Sequence, residues 1–184
     1  MKISWVFSEN IPHDIDEYKD IKETAPIWGS WKAWKDYKID NCVCSNFDET
    51  KKLLARAFHA VCNFYILQDH YIKVGSPIGV KVFTGQFRND HMINKDDIVA
   101  LNLAVANNDI ILMLGFDFSP ITENDDEITR LNKGEYYFNV MELIKSNLTK
   151  QFVLVDYTHE MASWVKDLEN LNFDNIKNVK SLLT

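Results

Sequence analysis

Along this chain the hydrophobic positions switch between long apolar runs and a helical spacing of three and four. The sharpest run is Asp109–Pro120, which reads Asp-Ile-Ile-Leu-Met-Leu-Gly-Phe-Asp-Phe-Ser-Pro and stops at Gly115 and the carboxylate of Asp117. Such a run, with no polar alternation, predicts a strand covered on both faces, as in a parallel sheet. Lys2–Phe7, Asn41–Ser45, Val80–Phe83 with Phe87, and Gln151–Val155 read as further strands from their β-branched and aromatic content. Asn46 stands in a capping-box relation to Glu49 and predicts a helix from Phe47 to about Leu67. Leu53, Leu54, Ala57, Phe58, Val61, Phe64 and Tyr65 form its apolar face; Cys62 falls inside it and His59 lies on its solvated side.

A second helix opens at an Asn94 cap, carries Asp96 and Asp97 in its first turn, where negative charge complements the helix dipole, and ends at Asn107-Asn108. Its small residues Ala100, Ala104 and Ala106 allow close approach to a sheet. Further helices are expected over Glu135–Asn147 and Met161–Leu171, with a short element in the tail to Thr184. Helix and strand thus alternate through the second half, the order of βαβ units in a parallel sheet. The expected fold is α/β: one Rossmann-like domain over all 184 residues, with about five mostly parallel strands flanked by helices. Residues 14–40, with Trp28, Trp31, Trp34 and Tyr37 around Pro26 and Gly29, read as a Trp-rich excursion from that core.

Composition narrows the function classes. Twenty basic residues against 27 acidic ones give a net charge of −7, so the molecular field repels polyanions, and no nucleic-acid partner is expected despite the Lys32–Lys38 segment. No apolar run reaches membrane-spanning length and the N-terminal one is too short for a signal peptide, so no membrane association and a soluble, cytoplasmic chain are expected. Cys42, Cys44 and Cys62 make no even disulfide framework and read as reduced thiols. The one-residue gap between Cys42 and Cys44 does not suit a zinc knuckle, and Glu123–Glu127 lacks the ligand spacing and central glycine of a calcium loop, so no metal is expected. There is no glycine-rich phosphate loop after the first strand, where Ser8-Glu-Asn-Ile-Pro12 stands, and no Gly-x-Ser-x-Gly nucleophile turn.

Ligands of open parallel sheets bind beyond the carboxyl ends of the strands. Ser8 and Asn10 follow the first strand, Asp117 and Ser119 the run at Asp109, and Asp156, Thr158 and His159 the strand at Gln151. Two carboxylates at neighbouring strand ends can hold a divalent ion, bind ribose hydroxyls or act as an acid and base pair, and an Asp in that position can also fix its own turn. The large rings of Trp28, Trp31 and Trp34 offer an interface, or anchor their segment to the body.

The segment Ala100–Ser119, an alanine-rich helix, a two-asparagine turn and Ile110-Ile-Leu-Met-Leu-Gly-Phe-Asp-Phe-Ser119, resembles the bacterial sialyltransferase-like glycosyltransferases, loosely through Asp156. The resemblance implies a Rossmann-like fold and a nucleotide or nucleotide-sugar site near Asp117; that family's glycine-containing loop after the first strand and its histidine beyond the Gly-Phe-Asp-Phe strand have no counterpart here. The stretches Trp28–Trp34, Arg56–Val61 and Leu114–Pro120 give the whole chain a resemblance to small α/β proteins of phages and marine bacteria, which implies a virion or host-interaction protein. Together these readings point to a non-catalytic binding or assembly module with a protein partner or a second copy of itself and no cofactor. The alternative is an enzyme of glycosyltransferase type that binds a nucleotide or nucleotide sugar.

Overall fold

The computed structural model describes residues 1–9, 18–84, 87–88, 91–92, 95–158 and 160–183. Eight parallel strands form one sheet: β1 (Ile3–Phe7), β2 (Ile27–Ser30), β3 (Asn41–Cys44), β4 (Asn63–Leu67), β5 (Lys81–Phe83), β8 (Ile110–Leu114), β9 (Gln151–Val155) and β10 (Leu171–Asp174). A small antiparallel pair, β6 (Phe87–Arg88) and β7 (His91–Met92), lies between β5 and β8 in the chain. The spatial order is β10-β9-β8-β1-β2-β3-β4-β5, so the chain runs outward from β1 in one direction, returns to β1's other side at β8, and runs outward again. This is the doubly wound, Rossmann-like α/β plan that the apolar strands predict.

The strands alternate their side chains between two apolar layers, which is why so few polar positions interrupt them. Val6, Ile111, Met113, Phe152 and Leu154 face α5 (Asp96–Asn107), α6 (Glu127–Lys145) and a 3-10 turn at Ser163–Asp167. Trp5, Phe7, Cys42, Cys44, Leu112 and Leu114 face the opposite layer, to which α1 (Tyr18–Thr24), α2 (Trp31–Tyr37), α3 (Phe47–Ala55) and α7 (Ile176–Leu183) contribute. The remaining helix, α4 (Gln68–Lys73), leads from β4 toward β5. No described helix is long and apolar enough to cross a membrane.

The eight-stranded sheet holds three strands more than the five expected, and each corrects a reading of the pattern. Within the 14–40 segment, Ile27–Ser30 is not part of an excursion: it is β2, buried between β1 and β3. The helix from Phe47 ends at Ala55, where Ala57 takes a left-handed backbone (φ 53°), and Asn63–Leu67 continues as β4. Cys62 consequently sits just before a strand and not in a helix. Leu171–Asp174 is the edge strand β10, at the start of the tail for which a short helix or strand is expected, and the helix expected over Met161–Leu171 is only the 3-10 turn at Ser163–Asp167. The Asn94 cap lies outside the described residues, and α6 begins at Glu127, eight residues before Glu135, behind an Asp126 cap that accepts from the Thr129 N–H at 2.8 Å.

Gly29 shows how tightly β2 is held. A Cβ built there would lie 2.9 Å from Ile39 Cδ1 and 3.1 Å from the Phe7 carbonyl oxygen on the neighbouring strand. Ile39 is buried and the Phe7 oxygen is backbone, so neither can move aside freely. Gly29→Ala is expected to cost about 1–3 kcal/mol by overpacking, read as a lower urea midpoint with an unchanged slope.

Candidate functional site

The reversal of strand order at β1 and β8 opens a crevice at the carboxyl edge of the sheet, the place where such folds hold ligands. A cleft of about 610 Å³ lies there. Glu9 reaches it from the end of β1, Trp31 and Lys32 from the end of β2, Ser45 and Asn46 from the end of β3, and Asp117 from the end of β8. The first turn of α5, with Lys95, Asp96 and Asp97, forms one wall, and Lys133, Tyr136 and Tyr137 of α6 form another.

Asp96 and Asp97 are the residues that organise this cleft. Both are buried, at 6% and 5% exposure, an uncommon state for a carboxylate at the start of a helix. Asp97 ties three elements together: its Oδ2 accepts from the Ser8 hydroxyl at 3.1 Å and the Tyr136 hydroxyl at 3.2 Å, and its Oδ1 accepts from the Ile98 N–H at 2.9 Å. Burial pushes its carboxyl above the usual range, reinforced by the charge of Glu9 and opposed by those hydrogen bonds. Tyr136, deeply buried beside this carboxylate, has its phenol held well above its ordinary pKa by burial first and the Asp97 charge second.

Asp96 is built differently. Its Oδ1 accepts from both the Ser45 N–H at 2.7 Å and the Ser45 hydroxyl at 2.6 Å, while Oδ2 takes no hydrogen bond from a described residue. Burial raises its carboxyl to about 6, against the pull of the two Ser45 bonds. Nearby, Lys32 Nζ lies 2.8 Å from Glu9 Oε2, a half-exposed pair that raises the Lys32 pKa. A carboxyl that titrates near neutrality in a cleft is a common property of functional sites.

Of the residues expected at strand ends, Asp117 lines the cleft, and its Oδ1 also accepts from the Ser119 N–H at 2.8 Å, so it fixes its own turn as well. Ser8 lies fully buried beneath the cleft on Asp97, and Ser119 offers its carbonyl oxygen to the Tyr137 hydroxyl. Asp156 belongs to a different place: it has a left-handed backbone (φ 51°), and its Oδ1 accepts from the Ile176 N–H at 2.9 Å, at the start of α7. Asn10 and His159 lie outside the described residues. In the acidic loop, Asp125 is held by Thr122 and by Lys133 at 3.2 Å, and Asp126 caps α6. Among the described residues no three His, Cys, Asp or Glu side chains gather as metal ligands.

The tryptophans separate. Trp28 is 6% exposed and packs its ring 5.2 Å from that of Tyr65, which withdraws it from any interface. Trp34 meets Phe58 edge-on at 4.9 Å and is covered by the Lys38 ammonium at 4.0 Å. Trp31 alone of the three lines the cleft. Cys42 and Cys44 are buried on the sheet face opposite α5, and burial raises both thiols, that of Cys44 to about 11, so neither is a ready nucleophile.

Asp96 and Asp97 stand in the first turn of a helix, as their sequence position predicts, but their role in the cleft is not legible there. The signal available was two adjacent acids directly before the apolar face of a helix, which reads as dipole complementation. Only the convergence of Ser8, Ser45 and Tyr136 on that turn makes it a site. No protein-family model, curated protein or solved structure matches the chain.

Proposed function

We propose that this protein is a binding module for a hydroxylated small molecule of the nucleoside or nucleotide-sugar class, held in the cleft above β1, β2, β3 and β8. One observation carries the reading: Asp96, buried to 6% exposure, has one carboxylate oxygen fixed by Ser45 and the other without a partner among the described residues, in a side chain that lines the cleft. That second oxygen is not a buried unmatched atom but is open to solvent in the cleft, so a ligand that donates to it there replaces water with a charge-assisted bond. Asp117 supplies a second acceptor and Trp31 a flat apolar face of the kind that covers a sugar or base ring. Assembly through Trp28, Trp31 and Trp34 has less support, because all three pack against the protein's own side chains, Trp31 beneath the Lys35 ammonium at 5.1 Å.

A thermal-shift screen of the full chain against nucleosides, nucleotides and nucleotide sugars, with and without magnesium, tests the reading. A ligand at 100 times its dissociation constant stabilises the fold by about 2.7 kcal/mol. Asp96→Ala and Trp31→Ala are each expected to remove that gain. No shift from any compound overturns the proposal.

A further inference from the structure

The charge arrangement within the cleft bears on which ligand chemistry it accepts. Five carboxylates, those of Glu9, Glu49, Asp96, Asp97 and Asp117, line it against three lysines. The lysines are already engaged: Lys32 with Glu9 at 2.8 Å, Lys133 with Asp125 at 3.2 Å, and Lys95 over the Tyr136 ring at 4.7 Å. Glu49 has its own cation, Lys52, at 2.7 Å, and Asp97 has three hydrogen-bond donors. Asp96 and Asp117 are left with no ion pair within 4 Å among the described residues.

We propose that the ligand group meeting Asp96 is a primary ammonium, so that the cleft selects amino-bearing nucleosides or sugars over their hydroxyl and phosphate counterparts. This rests on the reading of the cleft as a ligand site. A hydroxyl donor satisfies Oδ2 with one hydrogen bond and leaves the buried charge in place, whereas an ammonium supplies the bond and the opposite charge together. A charge-assisted bond of this kind is roughly twice as strong as a neutral one. Phosphate meets the reverse situation. The N-terminus of a helix as long as α5 would ordinarily attract an anion, but here Asp96 and Asp97 occupy that turn, and the Ile98 N–H is already bound to Asp97 Oδ1. A phosphate brought there faces two carboxylates in place of free N–H groups.

Calorimetric titration of the full chain with 5′-amino-5′-deoxyadenosine, adenosine and adenosine 5′-monophosphate, and with glucosamine against glucose, tests this directly. The amine of at least one series is expected to bind tenfold or more tighter than its hydroxyl partner, with the phosphate weakest. In Asp96→Asn the amine advantage should vanish while the unliganded fold remains intact by circular dichroism. Equal or tighter binding of the hydroxyl or phosphate member overturns the ammonium inference and leaves the cleft reading standing. An advantage that persists in Asp96→Asn also overturns it, because the cation would then sit elsewhere. If none of the probes binds, the inference falls together with the reading of the cleft.

Discussion

Trp28→Ala is expected to destabilise the protein by about 3–5 kcal/mol while leaving its elution volume unchanged, the result of a core truncation and not of a lost interface. Trp28 lies on β2, in register with Val6 of β1 and Asn41 of β3, and its ring packs at 5.2 Å against Tyr65 from β4. The Trp28 ring therefore reaches from β2 across β3 to Tyr65 in the α5 layer. Urea unfolding followed by far-ultraviolet circular dichroism measures the loss, and size-exclusion chromatography reads the assembly state. A variant of unaltered stability that elutes as a smaller species would restore Trp28 to an interface. Trp31→Ala supplies the contrast: its half-buried ring lines the cleft, so its effect should appear in ligand binding with only a small change in stability.

The same residue shows where pattern reading stops. β1, β3, β8 and β9 are legible because their apolar runs are bounded by loop chemistry on both sides, as at Ser8 and Asp117. β2 is four residues long, contains Gly29, and passes directly into α2 through the Ser30 cap, so its apolar content merges with that of Trp31 and Trp34. β4 is concealed for a different reason. Phe58, Val61, Phe64 and Tyr65 continue the helical spacing of α3, and the break is made by a left-handed backbone at Ala57, a residue that ordinarily favours helix. Tertiary pairing with β3 and β5 decides the conformation of Asn63–Leu67, and pairing is a long-range property.

The site divides along the same line. Asp117 could be located because its strand end announces itself locally. Asp96 could not, since its environment comes from Ser45, 51 residues earlier in the chain, and that of its neighbour Asp97 from Ser8 and Tyr136, 89 and 39 residues away. Asp156 has the same local appearance as Asp117, a carboxylate after a buried strand, and the difference between a cap for α7 and a cleft residue lies in how far each strand stands from the switch point: β8 adjoins β1, whereas β9 is one strand further out.

Asp96→Asn is expected to raise stability at pH 8 by up to about 3 kcal/mol and to leave it nearly unchanged at pH 4. Burial lifts the Asp96 carboxyl from 3.8 to about 6 in the folded chain. Between those values the folded state keeps a proton that the unfolded state has released, so the stability associated with this group is fully present below pH 4 and is lost as pH rises through 6. A displacement of about two pH units corresponds to about 3 kcal/mol, an order-of-magnitude figure, carried by the ionised form above neutrality. Asparagine keeps an oxygen to accept both Ser45 bonds and carries no charge, so it removes the cost without removing the contacts. Denaturant unfolding of both proteins across pH 4–8 isolates the effect, because Asp97 and Glu9 are common to the pair and their contributions largely cancel in the difference. A variant less stable than the parent at pH 8, or a difference that does not change with pH, would show that the buried Asp96 charge does not carry this cost. A gain of this kind at a side chain lining a cleft at the switch point is the trade of stability for activity that the proposed ligand site predicts.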